Sequence, residues 1–191
     1  MHDLGFMVGS KYSHMMILPF SDTVFIYRTM SVKHLEDMQQ YMDTLRERGL
    51  FSKNKVFRSY VESKSFRLPD SFQDAKSIIA LAVYIPLARV RVPYKGSVHE
   101  VLIPPNYQAQ RFSNEQLRTS IAKKVIREEG CRIEDVRNSL FLKHLAVRSG
   151  LAKYGKNNIC YTEEMGSMFS LFAFYTDYVF DEDYWTDLQM M

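Results

Sequence analysis

Only two cysteines occur in 191 residues, Cys131 and Cys160, and they lie far apart without metal-ligand spacing. A zinc or iron-sulfur site built from this chain alone is therefore not expected. A disulfide stays open, with two ordinary buried thiols as the alternative. Long hydrophobic runs are missing too. No stretch approaches the ~20 apolar residues of a membrane span. The N-terminus, MHDLGFMVGSKYSHMM, has neither the charged start nor the continuous apolar run of a secretory signal, which points to a cytoplasmic protein. Charge of one sign is scarce: the net value is +3 and no basic block stands out, so nucleic acid is not an expected partner. No GxGxxG opens a helix after a strand, and P-loop, HExxH and GxSxG motifs are absent. There are no repeats and no low-complexity tracts.

What the chain does have is apolar and aromatic material: 46% hydrophobic residues, 25% charged, 13 Phe and 12 Tyr. This suits one soluble domain with a large mixed core, residues 1–191. The aromatics serve core packing and are compatible with a pocket for a flat ligand. Met15 to Leu18 and Val24 to Tyr27 read as a hairpin around a turn at 19–22. A helix is expected over 31–48, with Ser31 as N-cap and Leu35, Met38, Met42 and Leu45 as one stripe. Residues 51–74 look polar and irregular. Ser77 to Tyr84 is a near-continuous apolar run, the mark of a buried strand. The alternation over 87–104 reads as a hairpin bent at Gly96, with Arg89 and Arg91 on one face. A second helix is expected over 114–129, with the stripe Leu117, Ile121, Ala122, Val125 and Ile126. A third over 138–149 should bury Leu140, Phe141, Leu145 and Ala146, leaving Lys143 and His144 on or near the other face. Strands at 158–161 and 168–176 complete an α+β domain with a mostly antiparallel or mixed sheet. The acidic, aromatic tail after Val179 either covers a sheet edge or leads onward.

The most distinctive stretch runs from 140 to 177. An apolar helix breaks at Gly150, and a basic loop follows with Gly155, Lys156, Asn157 and Asn158. After a short strand and a turn at Gly166-Ser167 comes an aromatic strand. Paired glycines beside a lysine and two asparagines suit a backbone that approaches a ligand, and the asparagines also suit a locally capped turn.

The run Leu145-Ala146-Val147-Arg148-Ser149-Gly150-Leu151-Ala152-Lys153-Tyr154-Gly155-Lys156-Asn157, followed by Gly166-Ser167, resembles the signature of the epoxyqueuosine reductase family. The segment from Phe66 to Ile79 resembles that family's entry into its first core strand. The resemblance covers about 66–177, leaving 1–30 and 178–191 as extensions. It implies a nitroreductase-like α+β scaffold and a corrinoid cofactor, cobalamin, held by Gly150, Lys153, Tyr154, Gly155, Lys156, Asn157, Asn158, Gly166 and Ser167. The family carries a proton-donating Asp in a V-D-[ST]-x-P segment. That position falls on Val136 here, with Ser139 in place of the proline. Asp135, one residue away, is the catalytic candidate, with a turn or cap carboxylate as the other reading. Ala152 and Lys153 stand where the family has glycine and tryptophan. Family members continue into cysteine-rich cluster motifs, which two cysteines cannot reproduce.

Three readings follow from the resemblance. The first is a corrinoid-binding domain of a reductase whose electrons come from a donor protein or a missing ferredoxin-like segment. The second is a non-catalytic corrinoid carrier or chaperone. The third is a flavin-binding nitroreductase relative. Association into a homodimer is left open.

Overall fold

A computed structural model describes residues 15–17, 24–108, 113–126, 128–136 and 139–191. The strands are β1 (Met15–Ile17), β2 (Val24–Ser31), β3 (Ser77–Tyr84), β4 (Ala88–Tyr94), β5 (Ser97–Ile103), β6 (Ile133–Asp135), β7 (Lys153–Tyr154), β8 (Cys160–Tyr161) and β9 (Phe169–Thr176). The helices are α1 (His34–Glu47), α2 (Lys55–Glu62), α3 (Asn114–Ile121) and α4 (Leu142–Arg148).

The main sheet has the order β1-β2-β3-β9-β6, and every neighbouring pair is antiparallel. The apolar run of β3 lies at its centre and is buried through Val83. Strand geometry sends alternate side chains to opposite faces. Ile78, Ala80 and Ala82 join the core with α1, α2 and α4, while Ile79, Leu81 and Val83 join the core with α3. The result is three layers, helix on sheet on helix, of the α+β class. Ala80 pairs with Ala173, so the α4 side of the sheet is lined by small residues, and α4 packs there with Leu145, Ala146 and Val147 buried.

Helix α3 begins at a capping box: Gln116 N–H donates to Ser113 Oγ (3.2 Å) and Ser113 N–H to Gln116 Oε1 (2.8 Å). It runs into one wide π turn, Ala122–Ile126, in which the adjacent Val125 and Ile126 are both buried.

Several expectations change. The hairpin β4–β5 forms its own two-stranded sheet, with every residue from 89 to 102 exposed. The reason lies in β3, whose two edges are taken by β2 and β9. Arg89 and Arg91 do share a face there and both reach Glu100 at 3.4 Å. The strand expected at 158–161 pairs with β7 instead of the main sheet, because β6 occupies the outer edge of β9. Ser31 ends β2, still in register with Ser77, and α1 starts three residues later. The stretch read as irregular contains α2, capped by Asn54, whose side chain accepts from the Val56 and Phe57 amides (2.9 and 3.2 Å). The helix expected over 114–129 does not extend to Glu128, and α4 begins only at Leu142. The 19–22 turn and residues 1–12 fall outside the described residues.

The tail does cover a sheet edge. Strand β1 reaches only the first residues of β2, and the tail takes the rest: Tyr184 N–H donates to Thr29 O (2.9 Å) and Ser31 N–H to Asp183 Oδ1 (2.8 Å).

Leu81, fully buried at the sheet centre, should lose about 2–5 kcal/mol of unfolding free energy on Leu81→Ala. Val90→Ala, on the exposed hairpin, should change it by no more than about 0.5 kcal/mol. Urea unfolding of both variants checks the contrast.

Candidate functional site

Helix α4 ends because Gly150 takes a left-handed conformation (φ 68°), with its amide donating to Val147 O at 3.0 Å. The turned chain runs through Leu151 and Ala152, both buried, into β7. A hairpin returns through β8. Gly155 N–H donates to Ile159 O (2.8 Å), Asn158 N–H to Gly155 O (2.9 Å), and Asn158 itself has a positive φ of 59°. Lys143 Nζ donates to Asn158 O at 2.8 Å, tying the hairpin tip back to α4. A tighter turn follows, in which Thr162 and Gly166 exchange backbone bonds (2.9 and 3.1 Å).

Gly155 is required by its surroundings. A Cβ there would stand 2.6 Å from Tyr161 Cε2 and 2.8 Å from Asn157 Oδ1. Asn157 Nδ2 donates to the Tyr161 hydroxyl at 3.0 Å, and Asn157 Oδ1 accepts from the Ile159 amide at 3.1 Å. The space beside this glycine is therefore filled by the protein's own aromatic ring. Lys156, Asn157 and Asn158 are exposed at the tip.

The open space lies next to it. A cleft of about 540 Å³ is bounded by Gly150, Leu151, Ala152 and Lys153 on one side. Tyr161 to Glu164 and Met190–Met191 bound the other, with Ile26 and Arg28 of β2 at the base. Of the residues expected to bind a cofactor, Gly150 and Lys153 line this cleft; Tyr154, Gly155, Lys156, Asn157, Asn158, Gly166 and Ser167 do not. Arg28, Glu163, Glu164 and the two terminal methionines were missed. Arg28 had a signal, since it interrupts the apolar alternation of Ile26 and Met30. The methionines had none, because tail residues enter the wall only through long-range pairing: Met191 N–H donates to Tyr154 O (2.8 Å) and Tyr154 N–H to Gln189 O (3.0 Å).

Asp135 is not brought to this place. On β6 it stands opposite Phe174, whose side chain belongs to the α3 face, and it accepts a hydrogen bond from the Asn114 side chain. The cleft-forming segment packs on the other face through Leu151, Ala152 and Cys160. Val136, the position that the resemblance equates with the acid, is buried in that second core.

Beside the cleft lies a cluster of buried polar groups. His144, expected near the surface, is 7% exposed because α4 is covered by α1, and its ring sits 5.1 Å from that of Tyr41. Nε2 has no hydrogen-bond partner among the described residues. Burial, and then the Arg148 charge, lower its pKa from 6.5 to about 4. Burial foremost pushes the Tyr154 phenol up to about 12, with Cys160, Tyr41 and Tyr60 adding to the shift. Burial likewise raises the Cys160 thiol, against the pull of Lys143. Both cysteines are free thiols, and a raised pKa leaves Cys160 unsuited to nucleophilic work at neutral pH. Among the described residues no group of three or more His, Cys, Asp or Glu could hold a metal ion, and no helix is long and apolar enough to cross a membrane.

Two solved structures match this architecture over most of the chain. One is epoxyqueuosine reductase from Streptococcus thermophilus: TM-score 0.51, 19% identity, covering 85% of this chain and 45% of that one. The fold is that of part of an epoxyqueuosine reductase. The second is the Bacillus subtilis epoxyqueuosine reductase, in a structure whose catalytic aspartate loop is swung out of the active site. It gives a TM-score of 0.51 at 16% identity and covers 84% of this chain and 43% of that one. The chain thus spans less than half the length of the epoxyqueuosine reductases it resembles. No protein-family profile matches it, and no curated protein does.

Two outcomes follow from the packing. Between pH 6.5 and about 4 the unfolded chain binds a proton at His144 that the folded chain refuses. Stability should therefore rise with pH across that window and fall by on the order of 3 kcal/mol toward its acid end. His144→Leu should flatten this slope in urea unfolding at neutral and at acid pH. Gly155→Ala should cost about 1–3 kcal/mol through overpacking, and much less in a Tyr161→Ala background, as a double-mutant cycle would show.

Proposed function

We infer that this chain is a corrinoid-binding domain related to epoxyqueuosine reductase. The observation that carries the reading is that the signature-like segment Gly150 to Lys153 forms a wall of an open cleft in a chain with that fold. The cleft of about 540 Å³ is smaller than a whole corrinoid, so it would take one edge of the ring and leave the rest outside.

The lining suits the ligand's chemistry. A corrinoid presents a flat apolar ring fringed by amides, which both donate and accept hydrogen bonds. Leu151, Ala152, Met190 and Met191 offer apolar surface; Arg28 and Lys153 donate; Glu163 and Glu164 accept. Many neutral and weakly polar contacts would share the binding energy. A corrinoid held there would supply a cobalt centre for electron transfer. The chain's own residues would bind the ring edge, orient it, and keep water from its apolar surface.

The non-catalytic carrier is favoured over the reductase by one finding. Asp135 lies on the opposite sheet face from the cleft, and a general acid must come within hydrogen-bond reach of the atom that it protonates. A reductase role would draw its electrons from a partner protein or a further segment.

Hydroxocobalamin titration should change the cobalamin visible spectrum and quench the fluorescence of Trp185, the single tryptophan. Arg28→Ala with Lys153→Ala should weaken binding by about tenfold, the loss of two polar contacts. Flavin mononucleotide in a parallel titration should leave the signal unchanged. A folded wild-type chain with no response to cobalamin would end the proposal.

A further inference from the structure

Charge along α1 is mixed. Its first turn carries Glu36 and Asp37, and its last carries Glu47 beside Arg46, which pairs with Asp43. The helix dipole favours Glu36, Asp37 and Arg46 where they stand. It gives no reason for what lies beyond each end.

Past the C-terminal end, residues 46–67 contain seven basic side chains and two acidic ones, a local net charge of +5 in a chain whose total is +3. Folding gathers three of them. Arg46, Lys53 and Arg58 line one groove of about 370 Å³ floored by Phe51 and Val61, with Glu62 as its one carboxylate. Among the described residues, Arg48, Lys53, Lys55, Arg58 and Arg67 make no ion pair. Val56 and Leu50 stand out of this surface, 78% and 64% exposed.

Past the N-terminal end, the tail is the opposite. Residues 177–187 hold Asp177, Asp181, Glu182, Asp183 and Asp187 and no Lys or Arg, a local charge of −5. Asp183 fastens this strap to α1 through His34 Nε2 at 3.0 Å. Asp187 pairs with Arg148 at 3.3 Å. Asp181 and Glu182 make no ion pair among the described residues, and Val179 is exposed beside them.

The two surfaces cannot neutralise one another within one molecule. The 14 residues of α1 hold them about 20 Å apart, more than twice the ~8 Å screening length at physiological salt. A second copy removes the obstacle. When two α1 helices lie antiparallel about a two-fold axis near Gln40 and Thr44, each basic face meets the other copy's acidic strap. Both contacts form at once, and the assembly closes. Exposed aliphatic side chains on each surface, Val56 and Leu50 against Val179, supply apolar burial between the charges.

We propose that the basic α1–α2 face and the acidic 177–187 strap are the two halves of a symmetric homodimer interface. The strap touches the cleft where Tyr184 lies under Arg28; the variants below leave both residues unchanged, so dimerisation is read apart from corrinoid binding.

Sedimentation velocity of the 191-residue chain tests it. The wild type should be a dimer at about 0.05 M salt and shift toward monomer at about 0.5 M. A basic-face variant (Lys53→Glu, Lys55→Glu, Arg58→Glu) should associate at least about tenfold more weakly, as should a strap variant (Asp181→Lys, Glu182→Lys). Mixed in equal amounts, the two variants should regain the dimer, because every contact is again between opposite charges. Thermal unfolding of each variant near the wild-type midpoint shows that the fold is intact. A monomeric wild type at low salt overturns the proposal whatever else the basic face binds. So does a dimer indifferent to salt and charge reversal, or a mixture of folded variants that stays monomeric.

Discussion

The pairing of β3 with β2 along one edge and β9 along the other determines where every other element can go. Its core residues are buried on both faces, so helices must cover both sides of the sheet, α1, α2 and α4 on one and α3 on the other. Its edges are saturated, so the hairpin that follows it immediately in sequence has nowhere to add and stands apart in solvent. A strand that gives up both edges and both faces also fixes register, since a slip by one residue would exchange Ile78, Ala80 and Ala82 with Ile79, Leu81 and Val83.

A second constraint joins the tail to the cleft. The Arg148 guanidinium lies between the rings of Tyr41 and Trp185, at 5.7 and 5.5 Å, and Nη1 donates to Thr186 O at 3.1 Å. Trp185 stacks in turn on His34 at 4.5 Å. Cation, aromatic ring and imidazole thus fasten the strap at mid-length, and the chain beyond it is laid along β7. The methionine wall of the cleft exists because of that fastening, more than thirty residues from the signature-like segment in sequence.

What could be read from sequence divides along this line between local and distant causes. The β3 run, the α1 stripe, the α3 stripe with its cap and the break at Gly150 all carry their reason within a few residues, and they appear where periodicity places them. Helix α2 escaped because its eight residues give barely two turns of periodicity to read; its Asn54 cap was the usable signal. His144 escaped because α4 is covered on a side that one helix's pattern does not reveal. The candidate loop was legible as a loop, but which part of it faces open space was not. The Tyr161 ring occupies the room beside Gly155, so the accessible part lies earlier, at Gly150 and Lys153. Asp135 was placed by its distance from the signature in sequence, which says nothing about which sheet face a short edge strand will present.

The order β2-β3-β9 has a consequence for how the chain is made. Strand β3 emerges from the ribosome with its β9 edge unfilled, and its partner arrives only after β4 through β8 have been synthesised. During that interval an eight-residue, almost wholly apolar strand is open on one side, the type of edge that recruits other chains. The β4–β5 hairpin, local and self-paired, can form in the meantime, but it pairs with neither edge of β3 and leaves the open one unfilled until β9 arrives.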